Sequence, residues 1–216
     1  MTARSTSPES ASSRPSTEHF FWNVERGYGL DLTEVPLTMY SSSYWEEYRK
    51  RDKTVMGDML TAGRLHMVRR VLEHVPVVVD IGIGGGRFVE ERGGLTFGYD
   101  VCPDAVAWLK EKNVYWNPYR EPPRNITCWD SLEHLKNPTM LVDQVIDHVF
   151  VSMPIYKDED DCLASKHYKP GEHIWYFTHW GLERWFQERD FTLLERNDFE
   201  SECGREGIGS FVFRRR

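Results

Sequence analysis

Long apolar segments and cysteine-rich patterns are both missing from this chain of 216 residues. No apolar run approaches the roughly 18 residues that a membrane-spanning helix requires, and the N-terminus lacks the apolar middle of a secretory signal. The four cysteines, Cys102, Cys128, Cys162 and Cys203, form no C-x-x-C pair. Their spacing argues against a zinc ribbon or a disulfide framework and favours free thiols in a reducing compartment. We therefore expect a cytoplasmic protein without a membrane partner.

Basic residues are also few, because 27 lysines and arginines face 34 acidic residues and the formal net charge is −7. A duplex-DNA binder that works by bulk electrostatics needs a positive face, so we do not expect a nucleic-acid partner. What the chain does contain is apolar and aromatic residues, at 40 % and 13 % of the sequence. These are enough to build one buried core of ordinary size.

The chain divides by composition into three parts. Residues 1–17 are mostly Ser, Thr and Pro without an apolar anchor, so we predict a disordered tail. Residues 18–75 are predicted to form a helical N-terminal cap, whose second helix covers residues 56–74 and is ended by Pro76. Residues 76–216 are predicted to form the main domain.

Short apolar strands alternate with helices in this main domain. Strands are predicted at residues 77–79, 95–99, 114–116, 125–129, 148–153, 191–195 and 208–214. Helices are predicted at residues 103–112, 138–146 and 178–188. Alternation of this kind predicts an α/β fold with a doubly wound, mostly parallel sheet. The last two strands follow each other directly, which predicts an antiparallel C-terminal edge.

The segment VVVDIGIGGGRF, residues 77–88, carries the clearest chemical signal. Its strand ends in Asp80 and leads into a loop with Gly82, Gly84 and Gly86, and Asp100 ends the next strand twenty residues later. Glycines allow a sharp turn and a close backbone approach to a ligand, and a carboxylate at the second strand can accept both hydroxyls of a ribose. Neither G-x-G-x-x-G nor G-K-[ST] is present, which argues against a dinucleotide or P-loop site. The alternative is a glycine-rich turn whose only role is to let the strand and the following helix pack closely.

The pattern D-x-G-x-G-x-G with a downstream acid resembles the first two motifs of class I S-adenosylmethionine-dependent methyltransferases. The segment ITCWDSLEHLKNP, residues 126–138, resembles the L-E-H-L region of small-molecule methyltransferases related to the ubiquinone-biosynthesis O-methyltransferase. Residues 168–182, YKPGEHIWYFTHWGL, are similar to the end of the same group. The stretch over residues 117–124 is short and proline-rich, so the residue that contacts adenine is hard to place.

This resemblance implies a seven-stranded Rossmann-like methyltransferase fold that binds S-adenosyl-L-methionine at the carboxyl ends of the strands. It implies methyl transfer to the oxygen or nitrogen of a small-molecule acceptor. The cofactor-binding residues that it implies are Asp80, Gly82, Gly84 and Gly86 at the methionine end, Asp100 with Val101 at the ribose, and the backbone near Cys128 and Trp129.

Acidic and histidine side chains cluster just after the fourth predicted strand of the main domain. Asp130, Glu133 and His134 form a D-x-x-E-H pattern, and spacings of three and four place them on one side of a turn. A similar E-x-x-E-H pattern with a distant histidine binds a divalent metal in RNA 3′-terminal 2′-O-methyltransferases, and His173 is the candidate fourth ligand here. We expect instead a metal-free turn, with Glu133, His134, His173 and His148 as candidate catalytic residues.

Aromatic residues suggest how an acceptor is enclosed. Trp175 and Tyr176 are expected to line a pocket for a planar or cationic substrate, and Tyr40, Tyr44, Trp45 and Tyr48 are expected to form a lid opposite them.

Three functions are consistent with these patterns: methyl transfer to a small molecule, metal-assisted methyl transfer to a nucleotide or nucleic-acid end, and cofactor binding by a non-catalytic scaffold. The first needs only the cofactor motifs. The sequence does not indicate the oligomeric state.

Overall fold

The computed structural model describes residues 18–33, 40–72 and 76–216. The predicted disordered tail at residues 1–17 lies outside this description, as does the end of the predicted second helix at residues 73–75. No helix within the described ranges is both long enough and apolar enough to cross a membrane.

The described residues contain nine strands and eight helices. The strands are β1 (Phe20–Asn23), β2 (Tyr28–Asp31), β3 (Val78–Ile81), β4 (Thr96–Tyr99), β5 (Asn125–Trp129), β6 (His148–Tyr156), β7 (Trp175–Thr178), β8 (Phe191–Asn197) and β9 (Ile208–Arg215). The helices are α1 (Ser42–Arg51), α2 (Val55–Val71), α3 (Arg87–Arg92), α4 (Pro103–Glu111), α5 (Thr139–Val142), α6 (Glu159–Ala164), α7 (His179–Gln187) and α8 (Phe199–Glu202). A single 3-10 turn covers Leu132–His134.

The sheet confirms the predicted doubly wound, mostly parallel architecture. Strands β4, β3, β5 and β6 lie side by side in parallel, and β9 and β8 continue the sheet as antiparallel strands. On the edge that faces away from β5, strand β6 has two partners, because its first seven residues pair with β9 and its last two pair with β7. Through β7 the sheet extends to β2 and β1, which are antiparallel.

The structure differs from the sequence predictions in three elements. Residues 18–75 are not helical throughout, because β1 and β2 form a hairpin that joins the sheet before the two helices begin. The strand expected at residues 114–116 is reduced to one bridge between Gly98 and Tyr115. The helix expected at residues 138–146 is a single turn, Thr139–Val142. With β1, β2 and β7 added, the described sheet has nine strands rather than seven.

Buried apolar side chains cover both faces of the parallel strands, as the uninterrupted apolar strands predict. On one face Val79 and Ile81 of β3 pack with a cluster that includes Trp185 and Phe186 of α7. On the other face Val78 packs with Leu65 and other residues of α2. Successive residues of β3 thus serve opposite faces, which is the two-residue period of a strand.

Thr178 ends β7 and caps α7, so one hydroxyl links the sheet to a helix and to the first hairpin. Its Oγ1 accepts a hydrogen bond from the backbone N of Gly181 (3.0 Å) and donates to the carbonyl of Gly27 (3.1 Å). Thr54 caps α2 in a similar way, accepting from Gly57 N at 3.1 Å, but it is exposed.

We expect Thr178→Ala to lower the free energy of unfolding by about 2–3 kcal/mol, because the buried backbone N of Gly181 loses its acceptor and the carbonyl of Gly27 loses one of its two donors. The matched variant Thr54→Ala should cost only about 1 kcal/mol, since water replaces the hydroxyl there. Urea unfolding followed by circular dichroism measures both values. Equal losses would show that Thr178 acts only as a helix cap.

Candidate functional site

A cavity with a volume of about 680 Å³ opens at the carboxyl ends of β3, β4 and β5. Gly82, Asp100 and Asp130 follow these three strands directly, and all three line the cavity. The chain reverses its direction across the sheet at β3, and ligands of open α/β sheets bind at such a switch point. The cavity is therefore the candidate functional site.

The glycine loop between β3 and α3 takes a backbone conformation that favours glycine. Gly82, Gly84 and Gly86 have φ angles of 72°, 54° and 83°. Residues with a Cβ rarely adopt these positive values. Gly82 and Gly84 line the cavity. Gly86 does not: it is the N-cap of α3 and packs beneath the ring of Trp108.

Asp100 connects the glycine loop to the loop that follows β4. Its Oδ2 accepts a hydrogen bond from the backbone N of Ile83 (2.9 Å), and its Oδ1 accepts one from the backbone N of Cys102 (2.7 Å). Burial raises the pKa of this carboxyl, while the backbone donors act to lower it. The neighbouring Val101 lines the cavity and is exposed.

Asp80 lies in β3 and lines the cavity, although its side chain is almost entirely buried. Its Oδ1 accepts a hydrogen bond of 2.6 Å from the hydroxyl of Thr127. Burial raises the pKa of Asp80 to about 7, although the Thr127 hydroxyl and the charge of Arg64 act to lower it. Near neutral pH this carboxyl is therefore present in both protonation states.

The two residues predicted to contact the cofactor from the end of β5 lie in different surroundings. Cys128 is fully buried inside the sheet and does not line the cavity. Trp129 does line it, with its ring edge-on to Phe88 at 5.6 Å and beneath the guanidinium of Arg64 at 5.2 Å. The indole Nε1 of Trp129 has no hydrogen-bond partner among the described residues.

Helix α1 and the preceding Tyr40 line one side of the cavity, where the aromatic lid is predicted. Tyr40, Tyr44 and Tyr48 line the cavity, whereas Trp45 packs on Trp108 instead. No residue of α1 is buried. The helix is held by specific contacts such as the hydrogen bond of 2.9 Å from Arg49 Nη1 to the carbonyl of Gly85.

Trp175 and Tyr176 do not line the cavity, which corrects the prediction made for them. Both belong to β7, where Tyr176 is fully buried. The indole Nε1 of Trp175 donates to the carbonyl of Leu135 at 3.0 Å. These aromatic residues build the core of the sheet extension instead of a substrate pocket.

Three of the four candidate metal ligands lie together. One ligand atom from each of Glu133, His134 and His173 lies within 4.8 Å of the other two. His134 Nδ1 donates to the carbonyl of Glu172 at 2.9 Å, which leaves Nε2 with a free lone pair 4.0 Å from Glu133 Oε1. Both oxygens of the fully buried Glu133, and Nδ1 of His173, lack a partner among the described residues.

Burial sets the protonation of this cluster. It raises the pKa of Glu133 well above its usual range and lowers the pKa of His134. It also lowers the pKa of His173 to about 2. Both imidazoles are therefore neutral at physiological pH and offer lone pairs, which is the state that a metal or a hydrogen-bond donor requires.

Asp130 does not join the cluster, so the alternative set of four metal ligands is reduced to three. Its backbone has a φ of 57°, which is unusual for a residue with a Cβ. Its Oδ2 forms an ion pair with Nη2 of Arg205. Arg205 also pairs with the buried Glu200, which accepts two hydrogen bonds from Arg64.

His148 lies far from the cavity, which contradicts its prediction as a catalytic residue. It is the first residue of β6 and is paired in register with Asn125, the first residue of β5. Its Nδ1 lies 3.1 Å from the side-chain oxygen of Asn125. The cavity is at the opposite, carboxyl edge of these parallel strands, so His148 is a structural residue.

Sequence patterns missed Arg64, Glu200 and Arg205, which form one charged group at the cavity. Arg64 and Arg205 line the cavity, and Glu200 bridges them from a fully buried position. No motif signals them, because Arg64 and Glu200 are separated by 136 residues and Asp130 and Arg205 by 75.

Comparison with known proteins identifies the family. A family model described as a methyltransferase domain matches residues 48–196, more than half of the chain. The chain therefore belongs to this family of methyltransferase domains and is an enzyme, which does not support the scaffold alternative. No curated protein sequence matches it.

Several solved structures with a similar fold are methyltransferases. Magnesium protoporphyrin IX methyltransferase from Synechocystis PCC 6803, with bound SAH, is 12 % identical (TM-score 0.57), covering 81 % of this chain and 94 % of that chain. A possible histamine N-methyltransferase from Thermotoga maritima is 11 % identical (TM-score 0.59), covering 84 % and 100 %. Burkholderia thailandensis 1,6-didemethyltoxoflavin-N1-methyltransferase, with bound 1,6-didemethyltoxoflavin and S-adenosylhomocysteine, is 12 % identical (TM-score 0.54), covering 90 % and 98 %. These likenesses confirm the Rossmann-like methyltransferase fold. Membership of the ubiquinone-biosynthesis group stays a prediction.

The raised pKa of Asp80 predicts a specific pH dependence of stability. An unfolded Asp has a pKa near 4, so the folded protein holds an extra proton between about pH 4 and pH 7. Stability is therefore lost as the pH rises through this window. The variant Asp80→Asn keeps an acceptor for Thr127 but does not titrate. We expect its free energy of unfolding, relative to that of the wild type, to rise by about 2–3 kcal/mol from pH 5 to pH 8.

Urea unfolding of both proteins at the two pH values measures this double difference, in which the other titrating groups cancel. A difference that stays constant with pH would mean that the pKa of Asp80 is not raised.

Proposed function

We propose that the chain transfers a methyl group from S-adenosyl-L-methionine to the oxygen or nitrogen of a small-molecule acceptor. The observation that carries this proposal is the shared cavity of the glycine loop and Asp100. The carboxylate that ends β4 is hydrogen-bonded to the glycine loop and lines the same cavity. A nucleoside that lies across the ends of β3 and β4 would meet both.

The residues present fit this cofactor. Asp100 would accept the ribose hydroxyls through the lone pairs that its backbone donors leave free. Gly82 and Gly84 would bring backbone groups close to the methionine end, and the ionised form of Asp80 would attract its ammonium group. Val101 would lie beside the adenosine, and the backbone at Trp129 would contact the amino group of the cofactor.

When bound, the cofactor supplies a methyl group that is already activated on a sulfonium. The work left to the protein is to align the acceptor and exclude water. Tyr40, Tyr44 and Tyr48 line the cavity and would help to exclude water. A cavity of this size suits a small-molecule acceptor, and the two enzymes named above for a porphyrin and for didemethyltoxoflavin also act on small molecules.

Removing the carboxylate of Asp100 tests the cofactor site. We expect Asp100→Ala to weaken binding of S-adenosylhomocysteine by about 10- to 100-fold, because charge-assisted hydrogen bonds are worth about 1.5–3 kcal/mol. Isothermal titration calorimetry measures the affinity. Asp104→Ala is the matched control, because Asp104 lies in the first turn of α4 and does not line the cavity. Unchanged affinity in the folded Asp100 variant would overturn the assignment.

A second candidate is metal-assisted methyl transfer, and the buried cluster favours it. A carboxylate with two neutral imidazoles is a ligand set that suits Zn²⁺ or Mn²⁺, and the unpartnered atoms of Glu133 and His173 fit it. The hydrogen bond to Glu172 would orient His134 as a ligand. A metal held by these three residues would supply a positive charge that favours deprotonation of an acceptor hydroxyl.

Titration of chelator-treated protein with Co²⁺ distinguishes the two candidates. Metal-assisted transfer predicts absorption bands of a bound Co²⁺ ion that Glu133→Gln and His173→Asn abolish. The exposed His66→Asn should leave them intact. Methyl transfer without a metal predicts no bands in any of the proteins.

A further inference from the structure

One wall of the cavity is separate from the part that we assign to the cofactor. The glycine loop and Asp100 belong to β3 and β4, whereas Asp130 and Arg205 lie beyond β5, next to β6 and β9. Leu60 and Arg64 of α2 complete this wall from the cap. We call these four residues the acceptor wall.

The positive charges of the acceptor wall are already neutralised. Arg64 donates from Nε and Nη2 to the two carboxylate oxygens of Glu200, at 2.8 and 3.1 Å. Arg205 pairs with Glu200 and with Asp130. Two arginines and two carboxylates thus form a closed group without net charge, and Glu200 is fully buried within it.

Two of the other cations that line the cavity are paired: Arg51 pairs with Glu47, and Arg87 pairs with Asp58 and Glu91. Lys136 also lines the cavity and is exposed, but it follows the 3-10 turn and does not belong to the acceptor wall. Because a buried carboxylate or sulfonate needs a paired positive charge, an anionic acceptor would be disfavoured against the acceptor wall.

Asp130 offers one hydrogen-bond acceptor to this space. Its backbone N donates to the carbonyl of Ser152 at 2.8 Å, and Arg205 holds its Oδ2. Its Oδ1 makes no hydrogen bond to any described residue, and its side chain is 29 % exposed. The left-handed backbone and the ion pair thus fix a carboxylate oxygen that can only accept a hydrogen.

We propose that the acceptor wall binds an uncharged acceptor that donates its hydroxyl or amino hydrogen to Oδ1 of Asp130. This inference rests on the proposed function. As the acceptor oxygen or nitrogen bonds to the methyl carbon, the carbon–sulfur bond breaks and its electron pair stays on sulfur. The acceptor hydrogen leaves as a proton to Asp130, which releases it to water. Asp130 is thereby a catalytic residue, and Arg205 and Glu200 are positioning residues.

Matched pairs of planar probes test the charge preference. The protein is first saturated with S-adenosylhomocysteine and then titrated by calorimetry with 2-naphthol, 6-hydroxy-2-naphthoate, 8-hydroxyquinoline and 8-hydroxyquinoline-5-sulfonate. We expect each neutral probe to bind at least tenfold more tightly than its anionic partner. Equal or tighter binding of the anions, or no binding of either neutral probe, would overturn the inference.

Substitution of Asp130 tests the assigned contact. We expect Asp130→Asn to weaken 2-naphthol binding about tenfold and to leave the affinity for S-adenosylhomocysteine within twofold. The control Glu206→Gln changes an acid next to Arg205 whose side chain is 90 % exposed, and it should change neither affinity. Unchanged 2-naphthol binding in the Asp130 variant would remove Asp130 from the site. Failure of the wild type to bind S-adenosylhomocysteine would refute the proposed function instead.

Discussion

The site depends on one carboxylate that accepts hydrogen bonds from two loops. Asp100 joins the backbone of Ile83, in the glycine loop, to the backbone of Cys102, at the start of α4. Without this link the glycine loop would be free to leave the left-handed conformations that it holds at Gly82 and Gly84. Burial makes the ionised carboxylate costly, and the two backbone donors offset that cost. A further pair of hydroxyls that donates to the same carboxylate would stabilise it again, so the cost of burial also favours a ligand.

A second carboxylate, Glu200, plays a comparable part on the other side of the cavity. It is fully buried and stays compatible with the fold because Arg64 and Arg205 donate to it from two different elements. Breaking one partner of such a group is costly, because the others then stay buried without a counter-charge. The group therefore fixes α2 of the cap relative to the segment between β8 and β9. Both walls of the cavity are held by buried acids, one with backbone donors and one with arginines.

Local patterns allowed the glycine loop, Asp80 and Asp100 to be predicted, because strand, turn and acid lie within about 25 residues of each other. The parallel sheet was predictable for the same reason, since each strand and its helix are consecutive. The extension of the sheet through β2 and β7 was not predictable, because these two strands pair across about 145 residues of chain. The misassignment of His148 was avoidable, because the predicted strand begins at this residue and ligands of parallel sheets bind at the carboxyl ends of the strands. Arg205 could not be predicted as a site residue, because no sequence motif includes it and its contact with Asp130 exists only in the folded chain.

The left-handed backbone at Asp130 separates two chemically different regions at the end of β5. If Asp130 had the ordinary conformation of a helical turn, its spacing to Glu133 and His134 would bring a second carboxylate to the buried cluster. Two acids there would repel each other and require a cation. With Asp130 turned to Arg205, the cluster has a single acid, Glu133, whose pKa is raised by burial. One backbone angle thus keeps a second carboxylate out of the cluster and leaves Asp130 available at the acceptor wall.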